Sequence, residues 1–171
     1  IDDWNEEFLS KFDPLEYVSL MEKAGVKGVM IYAQSHVGLC YWPTKAGQMH
    51  RGLKGRDIIG ETFRIAHSKG MDVILYYSLI FDNWAYKTYP GWRIKDVHGR
   101  GSREGSWMGK RYGWCCPNNK EYRDYTVRQI EDFCSNYDFE SVFFDMTFWP
   151  EVCYCNNCRD RYLSEKGREL P

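Results

Sequence analysis

Three short apolar runs set the strongest limit on how this chain can fold. They are "VKGVMIYA" (26–33), "MDVILYYS" (71–78) and "ESVFFDM" (140–146). Each follows a longer segment with helical spacing. Runs that are apolar on both faces, rather than alternating, suit strands covered on both sides. Helices alternating with such strands predict an α/β fold with a parallel sheet. The order reads α-β-α-β-loop-α-β-α.

The helices carry their own punctuation. In "FDPLEYVSLMEKAG", Asp13 is placed to cap the first turn, Pro14 suits the first helical position, and Glu16 completes a capping box. Leu15, Val18 and Met21 form the predicted stripe, with Gly25 as the stop. In "GRDIIGETFRIAHSKG", Ile58, Ile59, Phe63 and Ala66 share a face before Gly70. "NNKEYRDYTVRQIEDFCSNYD" predicts a third helix with Val127, Ile130, Phe133 and Cys134 inward. "NCRDRYLSEKG" starts a fourth. Residues 80–117 read as one long irregular stretch rich in Gly, Trp and Arg, and connections of that length are usually functional.

Two architectures give this order: a doubly wound sheet and a (β/α)₈ barrel. No G-x-G-x-x-G follows a strand and no P-loop occurs, which lowers a nucleotide-binding reading. A complete barrel takes about 250 residues. The 171 residues here would supply one domain and, if a barrel, part of one. The opening "IDDWNEEF", without Met or a signal-like apolar region, reads as a cut piece of a longer chain.

Charge excludes some partners. The net charge is −1 with both signs interspersed, so no basic stripe points to nucleic acid and no polybasic segment to a membrane surface. No run approaches the ~20 apolar residues of a membrane span. Aromatics reach 17%; they fill cores, and Trp and Tyr also line carbohydrate sites.

Polar chemistry collects after each strand. Gln34, Ser35 and His36 follow the first, then Cys40, Tyr41 and Trp42. Tyr76, Tyr77 and Ser78 end the second, and Asp145 ends the third. The carboxyl ends of parallel strands carry active sites in barrels and ligands in open sheets. A carboxyl directly after "VFF" has apolar walls and a rigid mount. That suits a nucleophile or a general acid/base, although capping a turn is the plainer role. His36, Trp42 and Tyr77 each have packing as their plainer role.

The chain has seven cysteines, an odd number. Cys153, Cys155 and Cys158 form a C-x-C-x-x-C cluster too tight for a disulfide framework, which favours metal or free thiols and a reducing, cytoplasmic setting. Tetrahedral zinc takes four thiolate or imidazole ligands. The fourth would be Cys115 or Cys116 of "WCCPNN", which requires the loops flanking the third helix and strand to fold back toward each other. Four protein ligands make a closed, structural site.

The stretch "FDPLEYVSLMEKAGVKGVMIYAQSHVGLCYWPTKAG…LKGRDIIGETFRIAHSKGMDVILYYSL" resembles the barrel of glycoside hydrolase family 29 α-L-fucosidases over residues 12–79. With "YPGW", "CPNN", "FFDM" and "CYCNNC" it is closer still to a glycosyl hydrolase 6-type group linked to the family 151 α-L-fucosidases. The resemblance implies that Asp145 is the catalytic nucleophile on the fourth strand of a (β/α)₈ barrel. It also implies sugar contacts from His36, Trp42 and Tyr77. Ser35, Val37, Leu39 and Phe143 depart from the family pattern. Separately, "CPNNKEYRDY…CYCNNC" is similar to the zinc site of family 42 β-galactosidases. That likeness selects Cys116, with Cys153, Cys155 and Cys158, as ligands of a structural zinc ion. Those enzymes end their fourth strand in Asn-Glu, whereas this chain has Phe-Asp-Met.

The expectation is therefore the N-terminal portion of a (β/α)₈ barrel, about strands two to four with their helices, occupying 1–171. The zinc-bearing loops fall within 114–158. The parent would be a retaining exo-glycosidase of α-L-fucosidase type, acting on a carbohydrate substrate, with a possible homo-oligomer. Its acid/base is expected beyond Pro171, since Glu140 sits at the wrong end of its strand and Glu151 has no specific support. A β-galactosidase-like enzyme and a non-catalytic, zinc-stabilised carbohydrate-binding protein are the alternatives.

Overall fold

A computed structural model describes residues 5–105 and 111–171. The stretch read as irregular thus lies partly, at 106–110, outside the described residues. The elements are α1 (Pro14–Lys23), β1 (Gly28–Gln34), α2 (Ile58–Ser68), β2 (Asp72–Ser78), α3 (Asn83–Thr88), α4 (Ser102–Gly105), α5 (Lys120–Asn136), β3 (Ser141–Asp145) and α6 (Asn156–Lys166). The 80–117 stretch is more regular than its composition suggested. It holds α3, α4 and a 3₁₀ turn at Pro90–Trp92.

The sheet is parallel in the order β1-β2-β3, as the alternating pattern required. Its helix-facing side buries Val29 and Ala33 from β1 and Val73, Leu75 and Tyr77 from β2. Against them pack Val18 of α1, Ile58, Ile59, Phe63 and Ala66 of α2, and Phe133 of α5. The opposite side is bare: Met30, Tyr32 and Phe143 are 39%, 50% and 48% exposed. The helices thus cover one face only.

α1 begins as its sequence dictates. The Asp13 side chain accepts from the Leu15 and Glu16 amides, and Pro14 follows it. Leu15, however, points to solvent, and the buried positions are Pro14 and Val18. α5 is rotated by about one position from its predicted stripe. Val127 and Cys134 are exposed, while Tyr122, Tyr125, Thr126, Gln129 and Phe133 face inward. Tyrosines can be buried this way when their hydroxyls find partners, and the Tyr122 hydroxyl donates to the Leu79 carbonyl.

A register irregularity between Tyr32 and Gln34 sets up the polar interior. Tyr32 pairs with Tyr76 and Gln34 with Tyr77, so one residue is skipped and Gln34 turns to the helix side. There it is fully buried and donates to Asp82 at 3.5 Å and to Gln129 Oε1 at 3.4 Å. Cys40 Sγ donates to the same Gln129 oxygen at 3.0 Å. Asp82 caps α3, accepting from the Ala85 amide at 2.7 Å.

Two predictions test this packing. Phe133 is fully buried between Trp42, Tyr77 and Phe139. Phe133→Ala should cost roughly 3–5 kcal/mol, measured by urea unfolding. Burial raises the Asp82 carboxyl from 3.8 to about 7, against the opposing hydrogen bonds from Ala85, Gln34 and Trp84. The folded state therefore binds a proton that the unfolded state releases between pH 4 and 7. The associated stability is complete below the unfolded value and is lost as pH rises through about 7. At ~1.4 kcal/mol per unit the loss is on the order of 4 kcal/mol. Asp82→Asn keeps an acceptor for Ala85, so across that window it should remove most of this slope in chemical denaturation.

Candidate active site and metal centre

The carboxyl ends of the three strands lie side by side. Register pairs Ser78 with Asp145, and Tyr76 with Phe143. Asp145 is half-buried. Its Oδ2 accepts a hydrogen bond from the Tyr76 hydroxyl and its Oδ1 accepts from the Met146 amide at 2.7 Å. Met146 has φ 57, a left-handed turn that bends the chain away immediately after the strand. Burial, then the bond to Asp145, pushes the Tyr76 hydroxyl well above its ordinary range. It stays a donor.

His36 completes the edge. Its Nε2 is 4.0 Å from Asp145 Oδ2 and its Nδ1 is 2.9 Å from Ser78 Oγ. The ring meets Phe81 and Tyr112 edge-on, with centroids 5.3 and 4.9 Å away. Burial lowers its pKa; Asp145 opposes that shift and Arg111 adds to it.

The loop carrying His36 is latched to α3. The amides of Asn83 and Trp84 donate to the carbonyls of His36 and Val37, each at 3.1 Å. These are free first-turn donors of a helix, satisfied by a neighbouring loop. Gly38, at φ +77, lets the loop pass over Asp82; a Cβ there would lie 1.9 Å from Asp82 Oδ1.

Two residues expected at the sugar lie in the core. Trp42 is 0% and Tyr77 1% exposed, both in the core on the helix side. Trp42 donates from Nε1 to Asp132 of α5 at 2.7 Å, and Tyr77 packs on Phe133. Strand alternation is the reason: Val73, Leu75 and Tyr77 share one side, which sends Tyr76 and Ser78 to the other. Tyr76, which the sequence places at the strand end without a role, is the tyrosine that reaches Asp145. Counting parity back from Asp145 across the paired strands would have found it. Glu140 lies at the far end of the sheet, held by the Val73 amide and His67. Glu151 is raised by burial, with Asp96 and Arg100 as its charged neighbours.

The cysteines do converge. The sulfurs of Cys116, Cys153, Cys155 and Cys158 all lie within 4.8 Å of one another and are buried. Cys116 is 3.4 Å from Cys158 and 3.6 Å from Cys155. Four thiolates around one zinc at Zn–S ≈ 2.3 Å would stand about 3.8 Å apart, so the donor set and its spacing fit a tetrahedral ion. Ile80, Phe81, Ile94 and Trp114 pack around the cluster and close it. Cys155 occupies the N-cap position of α6 without a side-chain capping bond, and Cys158 sits in its first turn, where the helix's positive end favours thiolate.

No folding back is needed to bring these loops together. α5 runs from the carboxyl edge of the sheet to the amino edge, so the loop before α5 and the loop after β3 share the carboxyl edge. Backbone bonds tie them into one unit: Ile94 N–H to Trp114, Cys116 N–H to Trp92 and Tyr154 N–H to Lys95. Asn118 donates to Cys158 Sγ at 3.3 Å and is itself held by Arg161 at 2.7 Å. Cys115 faces the other way, its Sγ toward the Asp82 carbonyl.

Among the described residues, no helix is long and apolar enough to cross a membrane. A family model described as alpha-L-fucosidase matches residues 1–165. An alpha-L-fucosidase of Dictyostelium discoideum is 25% identical over 149 residues, 82% of this chain and 28% of that protein. Alpha-L-fucosidase isoenzyme 2 from Paenibacillus thiaminolyticus shares the fold with a TM-score of 0.81 at 25% identity, over 91% of this chain and 23% of its own. The Thermotoga maritima alpha-fucosidase solved in complex with fucose gives 0.60 at 25% identity, over 97% and 35%. The chain thus spans under a third of the curated relative it matches. With the family model covering nearly its full length, the chain belongs to the alpha-L-fucosidase family.

Proposed function

We propose that this chain is the part of a retaining α-L-fucosidase-type glycoside hydrolase that carries the nucleophile, Asp145. One observation carries the reading. Asp145 stands at the carboxyl end of a parallel strand, oriented through both oxygens and flanked by His36 and Tyr76. The consecutive strand order, the helices on one face and the apolar opposite face support strands two to four of a (β/α)₈ barrel, with that bare face turned to the barrel interior. A doubly wound sheet would carry helices on both faces.

In this mechanism Asp145 attacks the anomeric carbon, the glycosidic bond breaks, and a glycosyl-enzyme ester forms. A second carboxyl about 5–5.5 Å away protonates the leaving oxygen and then activates water. Glu140 is held at the opposite end of the sheet, and the acid/base is assigned to a residue outside 1–171. The Tyr76 hydroxyl and the Met146 amide fix the carboxyl for in-line attack. Both bonds must loosen as its charge passes into the new ester. His36 Nε2 faces the same space and is assigned to a sugar hydroxyl. The solved relatives include one bound to fucose, which favours that sugar over galactose.

Cys116, Cys153, Cys155 and Cys158 would hold a structural zinc ion, which supplies a cross-link rather than chemistry. The four ligands leave no open position for substrate or water. The closed site ties the loop after β3 to the loop before α5 and so steadies the segment leaving Asp145.

Two measurements test these assignments. In the full-length parent, Asp145→Ala or Asp145→Gly should lower turnover of an aryl α-L-fucoside roughly a thousandfold or more. Azide should restore cleavage as a glycosyl azide. Turnover close to wild type would remove Asp145 as the nucleophile, and an aryl-glycoside panel led by the β-galactoside would redirect the specificity. Elemental analysis should find about one zinc per chain, absent in Cys116→Ala and Cys158→Ala, with chelation lowering the unfolding temperature. A metal-free protein of undiminished stability would refute the zinc assignment.

A further inference from the structure

Ser78 has one hydroxyl proton, and the structure shows where it goes. Ser78 is fully buried at the end of β2, and its Oγ donates to the Phe81 carbonyl at 2.8 Å. A carbonyl can only accept. The proton is therefore committed, and the second short contact of the same oxygen, 2.9 Å from His36 Nδ1, has Ser78 as acceptor. Nδ1 must then carry hydrogen. Turning the ring over would put Cδ2 against Ser78 and lose this bond, and Phe81 and Tyr112, which meet the ring edge-on, hold it in place.

Four groups surround the exposed side of the ring. Asp145 and Tyr76 face it from the sheet, and Arg111 and Tyr112 from the segment before α5. Burial favours the neutral imidazole. A neutral ring with hydrogen on Nδ1 has a lone pair on Nε2. That lone pair points to the space beside Asp145 Oδ2, itself an acceptor already served by Tyr76. Two acceptors side by side leave one kind of visitor, a group that brings its own proton.

We propose that Ser78 is a positioning residue that holds His36 as its Nδ1–H tautomer, making Nε2 the acceptor for a substrate hydroxyl seated beside Asp145. This rests on the glycosidase reading for the identity of the visitor, though not for the tautomer. The specificity consequence is direct. A hydroxyl donates to Nε2, whereas an ether oxygen or a fluorine at the same carbon offers it only another lone pair. A site that hydrogen-bonds a hydroxyl rejects the analogue lacking it far more strongly than an apolar pocket would.

The test is long-range proton–nitrogen correlation on the protein labelled with ¹⁵N-histidine, without sugar, at a pH above the titration of His36. Wild type should show a protonated Nδ1 and a bare Nε2 for His36. Ser78→Ala should shift hydrogen to Nε2, the position free imidazole prefers, and Ser78→Thr, which keeps the hydroxyl, should retain the wild-type pattern. A bare Nδ1 in wild type overturns the proposal by itself and needs no variant to fold. An unchanged Nδ1–H in Ser78→Ala overturns it equally, since something other than Ser78 would then hold the ring. Because the spectrum is read without substrate, a failure of the Asp145 activity test would leave this result standing.

Discussion

Three amide groups at the start of a six-residue helix organise the working edge of this protein. Asn83, Trp84 and Ala85 open α3 with N–H groups that have no partner inside the helix. They are met by the carbonyls of His36 and Val37 and by the side chain of Asp82. A buried donor left unpaired would cost several times what a typical bond contributes, so this arrangement is strongly determined. It fixes where the loop after β1 runs, and therefore where the His36 ring stands over Asp145. Gly38 is the condition for it, since any side chain there would collide with Asp82. The buried carboxyl is the cost, and its protonation couples this corner of the fold to pH.

Much of this was legible from the chain itself. The alternation of helices with apolar runs implied a parallel sheet, and Asp13, Pro14 and Gly25 bounded α1 as capping chemistry predicts. The spacing of Cys153, Cys155 and Cys158 marked a metal-like cluster, and the structure brings Cys116 rather than Cys115 to it. The differences have separate origins. The sugar-contact role of Tyr77 is implied by the family resemblance alone, while its plainer packing role agrees with its burial. Val127 is exposed and Tyr125 buried because apolarity alone does not say which side of an element faces the core. β2 is apolar on both sides, so its parity could be assigned only by pairing with Asp145. α5 buries tyrosines and a glutamine, which a hydrophobic stripe does not count. The register slip that turns Gln34 inward has no local signature.

The carboxyl edge is divided into two parts with different requirements. One part, His36, Ser78, Tyr76 and Asp145, is polar, partly open and held by single hydrogen bonds. The other, the four cysteines with Ile94 and Trp114 around them, is closed and dry. Phe81 belongs to both. It packs on Trp114 beside the cysteines, presents its ring to His36, and its carbonyl takes the Ser78 proton. Rigidity in the closed part can thus reach the open part through one residue's ring and backbone, which is the geometric support a reacting group needs from its surroundings.

The uncovered side of the sheet has a consequence for how the chain behaves among copies of itself. Among the described residues, β1 and β3 are the sheet's edges, each with a row of backbone groups facing outward. On the uncovered side of these two strands stand Met30, Tyr32 and Phe143, exposed and apolar. With a net charge of only −1, little long-range repulsion keeps molecules apart. Edge pairing and face-to-face stacking would then satisfy both features at once. The colloidal fate of the chain is set by whatever reaches that surface first, a strand that pairs with an open edge or another molecule with the same open sheet.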